Sequence, residues 1–406
     1  MTTRLGATRR TVLAAAAVGP LASTLVQAGR PAAAATTGIL KPLPADRFKE
    51  FGTNAEMRWD SVDPGRYLTP QADLFVRNHT KTPVIEAATY ALRVFGDGLA
   101  TPRSEADALT LSLADLKRMP VTRLTTVHEC TGNGRSFFET QQGRKASGTA
   151  WTLGSVGTVQ WEGVRLRHVL RRLGISDDAV SIMPTGLDDP FVSGGTDYGR
   201  VRRPFPVSKA LDDAILAWAA NGEALLPDHG FPLRLVLPGW VGIASIKWLG
   251  SLEIATRELL SPWNTTFYRF TGGAYPADSP PLTVNPVRSA WELPWGATLA
   301  AGVSRTLTGR SWSGAAAIKH VDVSLDGGAT WQRADLRRGS GDDGARGDRG
   351  TGWTQWSGRW TPPRAGSCTL LARATDKAGR TQPDVTPYND AGYFFDAVVK
   401  HPVTVV

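Results

Sequence analysis

The sequence predicts an α+β protein, with a mixed α/β domain followed by an all-β sandwich. Three observations carry that expectation. The chain has 406 residues, more than one hydrophobic core usually supports, so two domains are expected. Its 43 glycines and 27 prolines interrupt helical patterns and favour strands and loops. Beyond Pro286 short runs alternate at period two, with tryptophans and turn residues between them, as in an antiparallel sandwich. No internal repeat is visible.

The first element sets the compartment. Residues 1–35 contain Arg4, Arg9, Arg10 and Arg30 and no acidic residue. The pair Arg9-Arg10 precedes an Ala/Val/Leu stretch to about Val26, and Ala32 to Ala35 reads as a cleavage region. This is the layout of a twin-arginine export signal, which implies a periplasmic or extracellular protein. A membrane anchor is the alternative, but the segment is short, Ala-rich and broken by Gly19-Pro20. Export of a folded passenger suits a protein that receives a bulky cofactor first. Without those four arginines the formal charge falls from +9 to +5. No Lys/Arg-rich block marks a nucleic-acid binder, and a mildly basic chain favours small anions.

The next elements follow from pattern. Thr110 to Arg118 reads as a short helix with Ser112 and Asp115 at capping-box spacing. Val121 to Val127 is rich in Val and Thr and reads as a strand. Val164 to Leu173 places Leu166, Val169, Leu170 and Leu173 on one helical face, with Gly174 as the stop and His168 at the surface. A second helix is expected over roughly Ser208 to Ala220. Phe231 to Thr256 reads as buried strands broken at Pro238-Gly239. In the C-terminal part Val321, Val323 and Leu325 share a face before an Asp326-Gly327-Gly328 hairpin turn. Cys368 is expected on the inward face of that sandwich as a core thiol; a Cys130–Cys368 disulfide is open to an exported protein but would have to bridge two domains.

Cys130 stands in the run Val127-His128-Glu129-Cys130-Thr131-Gly132-Asn133-Gly134-Arg135. With two cysteines in the whole chain, a structural zinc framework is excluded. The run is as compatible with a buried cysteine beside a turn as with a soft-metal thiolate next to an anion held by Arg135. Three more segments hold groups suited to a large anionic cofactor: Leu74 to His79, Asp228 to Arg234, and Gly239 to Trp248. Glycine-bearing turns in two of them let backbone N–H groups approach phosphate-like oxygens.

Taken together, these runs resemble the sulfite oxidase family of molybdenum-cofactor enzymes, over nearly everything after the signal. The matching runs are Phe-Val-Arg-Asn-His (75–79), Glu-Cys-Thr-Gly-Asn-Gly-Arg (129–135), Gly-Leu-Asp (186–188), 221–234 and 238–249, with 323–331 in the C-terminal part. With the export signal placed over 1–35, the resemblance implies a molybdopterin-binding catalytic domain over 40–270 and an Ig-like dimerisation domain over 282–406. It implies that Cys130 is the thiolate on molybdenum. It also implies that Phe75, Val76, Arg77, Asn78, His79, Asp188, His229, Arg234, Ser245, Ile246 and Lys247 hold the molybdopterin. Arg77, Arg135 and Lys145 would line the anion pocket, with Tyr198 swinging in.

The implied activity is oxidation of sulfite to sulfate by oxygen-atom transfer, with electrons leaving to a separate acceptor such as a cytochrome. No Cys-x-x-Cys-His occurs, so no haem is expected on this chain. A homodimer without a stable membrane anchor is expected. The alternatives are an exported molybdopterin reductase acting on sulfoxides and a cofactor-free binding protein on the same fold. The chain also departs from its vertebrate relatives. Val201 stands where they have tyrosine, and Gly134 and Ala391 stand where they have arginine. Trp151 follows Lys145 by six residues rather than four. These departures imply a less cationic pocket.

Overall fold

Residues 121–129 and 156–165 are rich in Val and Thr at spaced positions, and they pair antiparallel without a break from Val121 opposite Val164 to Glu129 opposite Val156. The computed structural model describes residues 38–337 and 350–406. The expected export signal, residues 1–35, lies outside the described residues.

The long hairpin belongs to a sheet ordered Glu223–Ala224, Ile215–Ala220, Val156–Arg165, Val121–Glu129, with Arg234–Val236 also paired to Ile215–Ala220. A second sheet is ordered Phe205–Pro206, Ser181–Gly186, Leu249–Ala255, Ala91–Phe95, Leu109–Ser112. In it the Leu249–Ala255 and Ala91–Phe95 strands run parallel. Leu92, Val94, Leu116, Leu166, Val169, Leu170, Leu216 and Leu252 share one core with both sheets. The short helix Leu166–Leu173 covers that core and stops at Gly174, which has φ +77°.

The helix expected over Ser208–Ala220 is shorter than the pattern suggests. It spans Val207–Asp212, and Ile215–Ala220 is a strand buried at every position. A strand covered on both faces has no polar alternation, so it looks like an apolar helix in sequence. Likewise Leu109–Ser112 is a strand and the capped helix is only Leu113–Lys117, though the Ser112–Asp115 capping box is present.

After Pro286 the protein is strands alone among the described residues. One sheet is ordered Arg288–Trp291, Arg305–Trp312, Thr354–Trp360, Asp335–Arg337. The other is ordered Ala297–Leu299, His401–Val405, Gly366–Asp376, Ile318–Ser324, Gln332–Arg333. Trp291, Leu307, Val321, Val323, Trp356 and Leu370 fill the space between them, and Cys368 packs against this core as a free thiol. The mixed α/β region and this β-rich region are in continuous contact. Trp59, Val127, Phe137, Phe138 and Val156 from the first pack with Trp312, Trp353 and Phe395 from the second.

One buried acidic side chain of the mixed α/β region has a cost that depends on pH. Glu56, 1% exposed, accepts hydrogen bonds from the Thr152 backbone N–H (2.7 Å) and hydroxyl (2.9 Å). Burial outweighs those bonds and Lys49, raising its pKa to about 7. A carboxyl with a raised folded pKa binds more protons folded than unfolded, so its contribution falls as pH rises from about 4.5 to about 7. Glu56→Gln is therefore expected to flatten the stability–pH profile between pH 5 and 8, by roughly 3 kcal/mol relative to the parent. Denaturant unfolding at a series of pH values measures it. Parallel profiles for the two proteins would refute the assignment.

Candidate active site

The strand pairing of Val76–Arg77 with Asn54–Ala55 fixes which side chains can meet a ligand. Side chains alternate along a strand, so Phe75 and Arg77 face a cavity while Val76 turns into a small core with Ile39, Phe48 and Ala55. The side chain of Val76 is thus a packing group rather than a cofactor contact. Asn78 and His79 leave the strand end and also line the cavity.

The opposite wall comes from the turn after Val121–Glu129. Cys130 donates its backbone N–H to Ser155 (2.9 Å) and its carbonyl accepts from Asn133 (2.9 Å). The half-buried thiol is thereby presented to the cavity from a fixed loop. Burial pushes the Cys130 thiol up, against an opposing pull from Arg77 and Arg135. Arg135 packs over Gly132 and gives Nε to the Ala391 carbonyl and Nη1 to the Thr149 carbonyl, both at 2.7 Å. Its guanidinium faces the Tyr393 ring at 5.5 Å.

The third wall is a cluster of buried cations. Arg234 donates to the carbonyls of His229 (3.0 Å) and Ser245 (3.1 Å) and lies over the Trp161 ring. Lys247 donates to Asn78 Oδ1 and to the Asp228 carbonyl (2.8 Å). Burial lowers Arg234 to about 9, and burial together with Arg234 lowers Lys247 to about 7. Asp228 accepts from the backbone N–H groups of Leu40 and Lys41 and from Thr82. It pins the Asn78–Thr82 turn and, with Asp188, pulls against the burial of Lys247.

Hydrogen-bond partners fix the histidine tautomers. A carbonyl only accepts, so His229 Nε2, 2.9 Å from the Gln71 oxygen, carries the proton. His79 Nε2 accepts from the Trp263 indole at 3.2 Å, and His128 Nε2 lies 3.2 Å from an Arg234 donor. Burial, then neighbouring cations, hold all three imidazoles well below the usual range, so they are neutral. His79 and His128 therefore carry their proton on Nδ1.

Three buried polar atoms lining this cavity have no partner: Arg234 Nε, Asp188 Oδ1 and Thr131 Oγ1. Burial also raises Asp188 to about 6. Unpaired buried polar groups and uncompensated cations are costly, and an anionic ligand with N–H donors would satisfy both. Among the described residues no cluster of three His, Cys, Asp or Glu could hold a metal. The donor set thus suits a metal that arrives with most of its ligands and takes one thiolate from the chain. A molybdopterin fits these walls.

Phe75, Arg77, Asn78, His79, Cys130, Asp188, His229, Arg234, Ser245, Ile246 and Lys247 all line one cavity, with Arg135 beside it. Besides Val76, two expected residues are not brought there. Lys145 is exposed on the loop after Ser136–Thr140, where its carbonyl accepts from Tyr388. Tyr198 sits beyond the Val192–Ser193/Thr196–Asp197 hairpin, stacks on Phe191 and meets Phe267 edge to face rather than lining the cavity.

The sequence reading missed His128, Thr131, Trp248, Tyr268 and Tyr393. His128 and Thr131 flank Cys130 and could have been inferred from strand alternation. Tyr268 and Tyr393 carry no local signal, because their pairing is a contact across 125 positions of sequence. The position of Gly134, with φ +81°, is also explained: a Cβ there would lie 2.5 Å from Arg288 Nη2. A side chain at 134 is replaced by a guanidinium arriving from the C-terminal sheet.

Comparison with known proteins agrees with this geometry. Residues 79–263 match the family described as oxidoreductase molybdopterin binding domain, and residues 294–402 match the Mo-co oxidoreductase dimerisation domain. Sulfite oxidase of Gallus gallus is 36% identical over 336 residues, covering 79% of this chain and 69% of that protein. Mitochondrial sulfite oxidase of Mus musculus is 33% identical, covering 82% of this chain. The chain spans 60% of that mouse protein. The crystal structure of the sulfane dehydrogenase SoxCD from Paracoccus pantotrophus shares the fold, with a TM-score of 0.71 at 24% identity, covering 94% of this chain and 92% of that one. A mixed α/β molybdopterin domain joined to a β-rich dimerisation domain, with a cysteine loop facing buried arginines, places the chain in the sulfite oxidase family.

Proposed function

We propose that the protein is a molybdenum-cofactor oxidoreductase that oxidises sulfite to sulfate and passes the electrons to a separate acceptor. The observation that carries this reading is the convergence of one thiol, Cys130, with two guanidinium groups, Arg77 and Arg135, at one end of a cation-rich cavity. The bound molybdenum cofactor would supply the two-electron oxygen-atom transfer. The chain's own groups do the rest.

Arg234 and Lys247, with His229 beside them, form the end suited to a phosphate, because both cations are buried and bond to carbonyl and amide oxygens rather than to a carboxylate. Asp188 offers an acceptor for N–H groups of the pterin. Cys130 is the sole cysteine of the cavity and supplies the thiolate. Arg77 and Arg135 hold an oxyanion near that thiolate. Desolvated guanidinium groups attract a dianion far more than exposed ones do, and Arg135 is held by two carbonyls rather than a carboxylate. Its charge stays available. His79 and His128, being neutral, present N–H donors without adding charge.

The test is a purified preparation assayed for molybdenum and for sulfite-dependent reduction of an artificial one-electron acceptor. About one molybdenum per chain with sulfite turnover supports the reading. Inactivity with sulfite, alongside turnover of a sulfoxide with a reductant, would overturn it in favour of a reductase.

The twin-arginine pair further suggests that the protein works outside the cytoplasm, as a dimer through its C-terminal domain, with an exported cytochrome or similar carrier as acceptor. Replacing Arg9 and Arg10 by lysine is expected to leave full-length protein in the cytoplasmic fraction. Unchanged export of that variant would contradict the signal assignment.

A further inference from the structure

Residues 38–41 belong to no helix or strand, yet they are fastened to the back of the cofactor cavity at three points. The first is Ile39. It is 1% exposed and packs with Phe48, Ala55 and Val76, on the side of the Val76–Arg77 strand turned away from the cavity. The second is Asp228, whose wholly buried carboxylate accepts from the N–H groups of Leu40 (3.0 Å) and Lys41 (2.7 Å). Beside it the Gly38 carbonyl accepts from the Thr82 N–H at 2.8 Å. The Thr82 hydroxyl donates to Asp228 and accepts from the Asn78 side-chain amide (2.9 Å). The third is Lys41. Its buried ammonium donates to the carbonyls of Gln71 (3.2 Å), Ala72 (3.0 Å) and Leu74. The Gln71 carbonyl is also the one that accepts from His229.

Burying an ammonium and a carboxylate costs hydration that the packing of Ile39 alone would not incur. What the two charges secure is the position of groups that line the cavity. Lys247 donates to Asn78 and to the Asp228 backbone carbonyl, so Asn78, His229 and Lys247 all hang on residues that this segment holds. With the segment lifted, only the Thr82 hydroxyl would remain to donate to the Asp228 carboxylate among the described residues. The carbonyls of Gln71, Ala72 and Leu74 would lose the ammonium between them. A buried carboxylate short of donors pulls on the cations around it, and Lys247 stands in its field.

We propose that residues 38–41 are a latch on the cofactor, with Lys41 and Asp228 as positioning residues. Seated, the segment keeps Asn78, His229 and Lys247 in the geometry that grips a molybdopterin, and the bound molybdopterin in turn keeps the segment down. This rests on the cofactor reading above and adds to it a stretch of chain that does not itself line the cavity. The coupling is reciprocal, because whatever the cofactor adds to the seating of the segment, the segment adds to the binding of the cofactor.

Gly38 allows the segment to be lifted without altering any cavity-lining group. Its φ is +69°, and a Cβ there would lie 2.8 Å from Lys81 Cβ and 2.9 Å from Lys81 Cα. Gly38→Val therefore opposes seating through backbone conformation and contact together. Two measurements on the full chain test the latch. Amide exchange compares the holoprotein with protein made in cells unable to synthesise molybdopterin, using the Ile318–Ser324 strand of the β-rich region as the internal reference. Relative to that strand, the Leu40 and Lys41 amides are expected to exchange about 5–150-fold more slowly in the holoprotein, the usual range of coupling between sites. Extended dialysis then compares molybdenum loss, which in Gly38→Val is expected to be about fivefold or more faster than in the parent. Equal relative exchange with and without cofactor overturns the latch, whether or not the variant folds. So does a folded Gly38→Val protein that keeps its molybdenum as long as the parent. A parent that carries no molybdenum when made in cells competent for the cofactor overturns the cofactor reading itself, and the latch with it.

Discussion

Cys130→Ser is expected to fold, retain the cavity and lose sulfite turnover. The thiol lines the cavity at the edge of a core cluster, and its loop is set by backbone bonds to Ser155 and Asn133 that a serine keeps. Stability should therefore change little. Activity should not survive. Altering groups that merely orient a metal ligand costs about 10–100-fold, and removing the ligand itself should exceed the upper end of that range. A hard hydroxyl is a poor substitute for a thiolate at a soft-metal site. Steady-state assays with sulfite, together with thermal unfolding and circular dichroism, separate a chemical loss from a folding loss. Full activity in a folded Cys130→Ser protein would remove the basis for the proposed function.

Arg288→Met should have the largest effect on stability. Arg288 donates to Glu129 Oε1 at 2.8 Å and to the Asn133 carbonyl at 2.8 Å, with both side chains nearly inaccessible. Glu129 also accepts from Trp312 and Asn133. Removing the guanidinium leaves a carboxylate buried beside two neutral donors. Breaking such a pair costs about 3–5 kcal/mol, most of it the penalty of the stranded charge. A melting temperature lower by roughly 5–10 °C is expected. The double variant Glu129→Gln with Arg288→Met should recover much of the loss, because no unpaired charge remains. Equal melting temperatures for parent and Arg288→Met would mean that the pair does not tie the cysteine loop to the C-terminal sheet.

That tie explains why the catalytic part is not self-contained. The loop from Cys130 to Arg135 takes Arg288 from the first strand of the β-rich region, and Ala391 and Phe394 from near the chain end. The Trp312 and Trp353 rings complete the same contact zone. Residues from both regions therefore set the position of the thiol and of Arg135.

Much of this was legible in linear order. The strand Val121–Glu129 and the loop carrying Cys130 follow from a run of Val and Thr ending in small turn residues. The capping box at Ser112 and the stop at Gly174 are local chemistry, and both occur as expected. Phe75 to His79 and Asp228 to Arg234 were recognisable because cations, histidines and glycine turns cluster within a few residues. Where the reading failed, it failed on burial. Ile215–Ala220 resembles a helix because both its faces are covered, and Val76 reads as a site residue although its neighbours point the other way.

Sequence alone determined the family, the lone thiol in its loop and the groups that crowd the cofactor end, since each depends on residues close together in the chain. Only tertiary structure decided the composition of the anion end. It left Lys145 in solvent and Tyr198 on an aromatic shelf, filled the space at Gly134 with Arg288, and brought Tyr268 and Tyr393 face to face beside Arg135. The physical reason is that those contacts join distant segments through packing and buried charge, which no local pattern encodes.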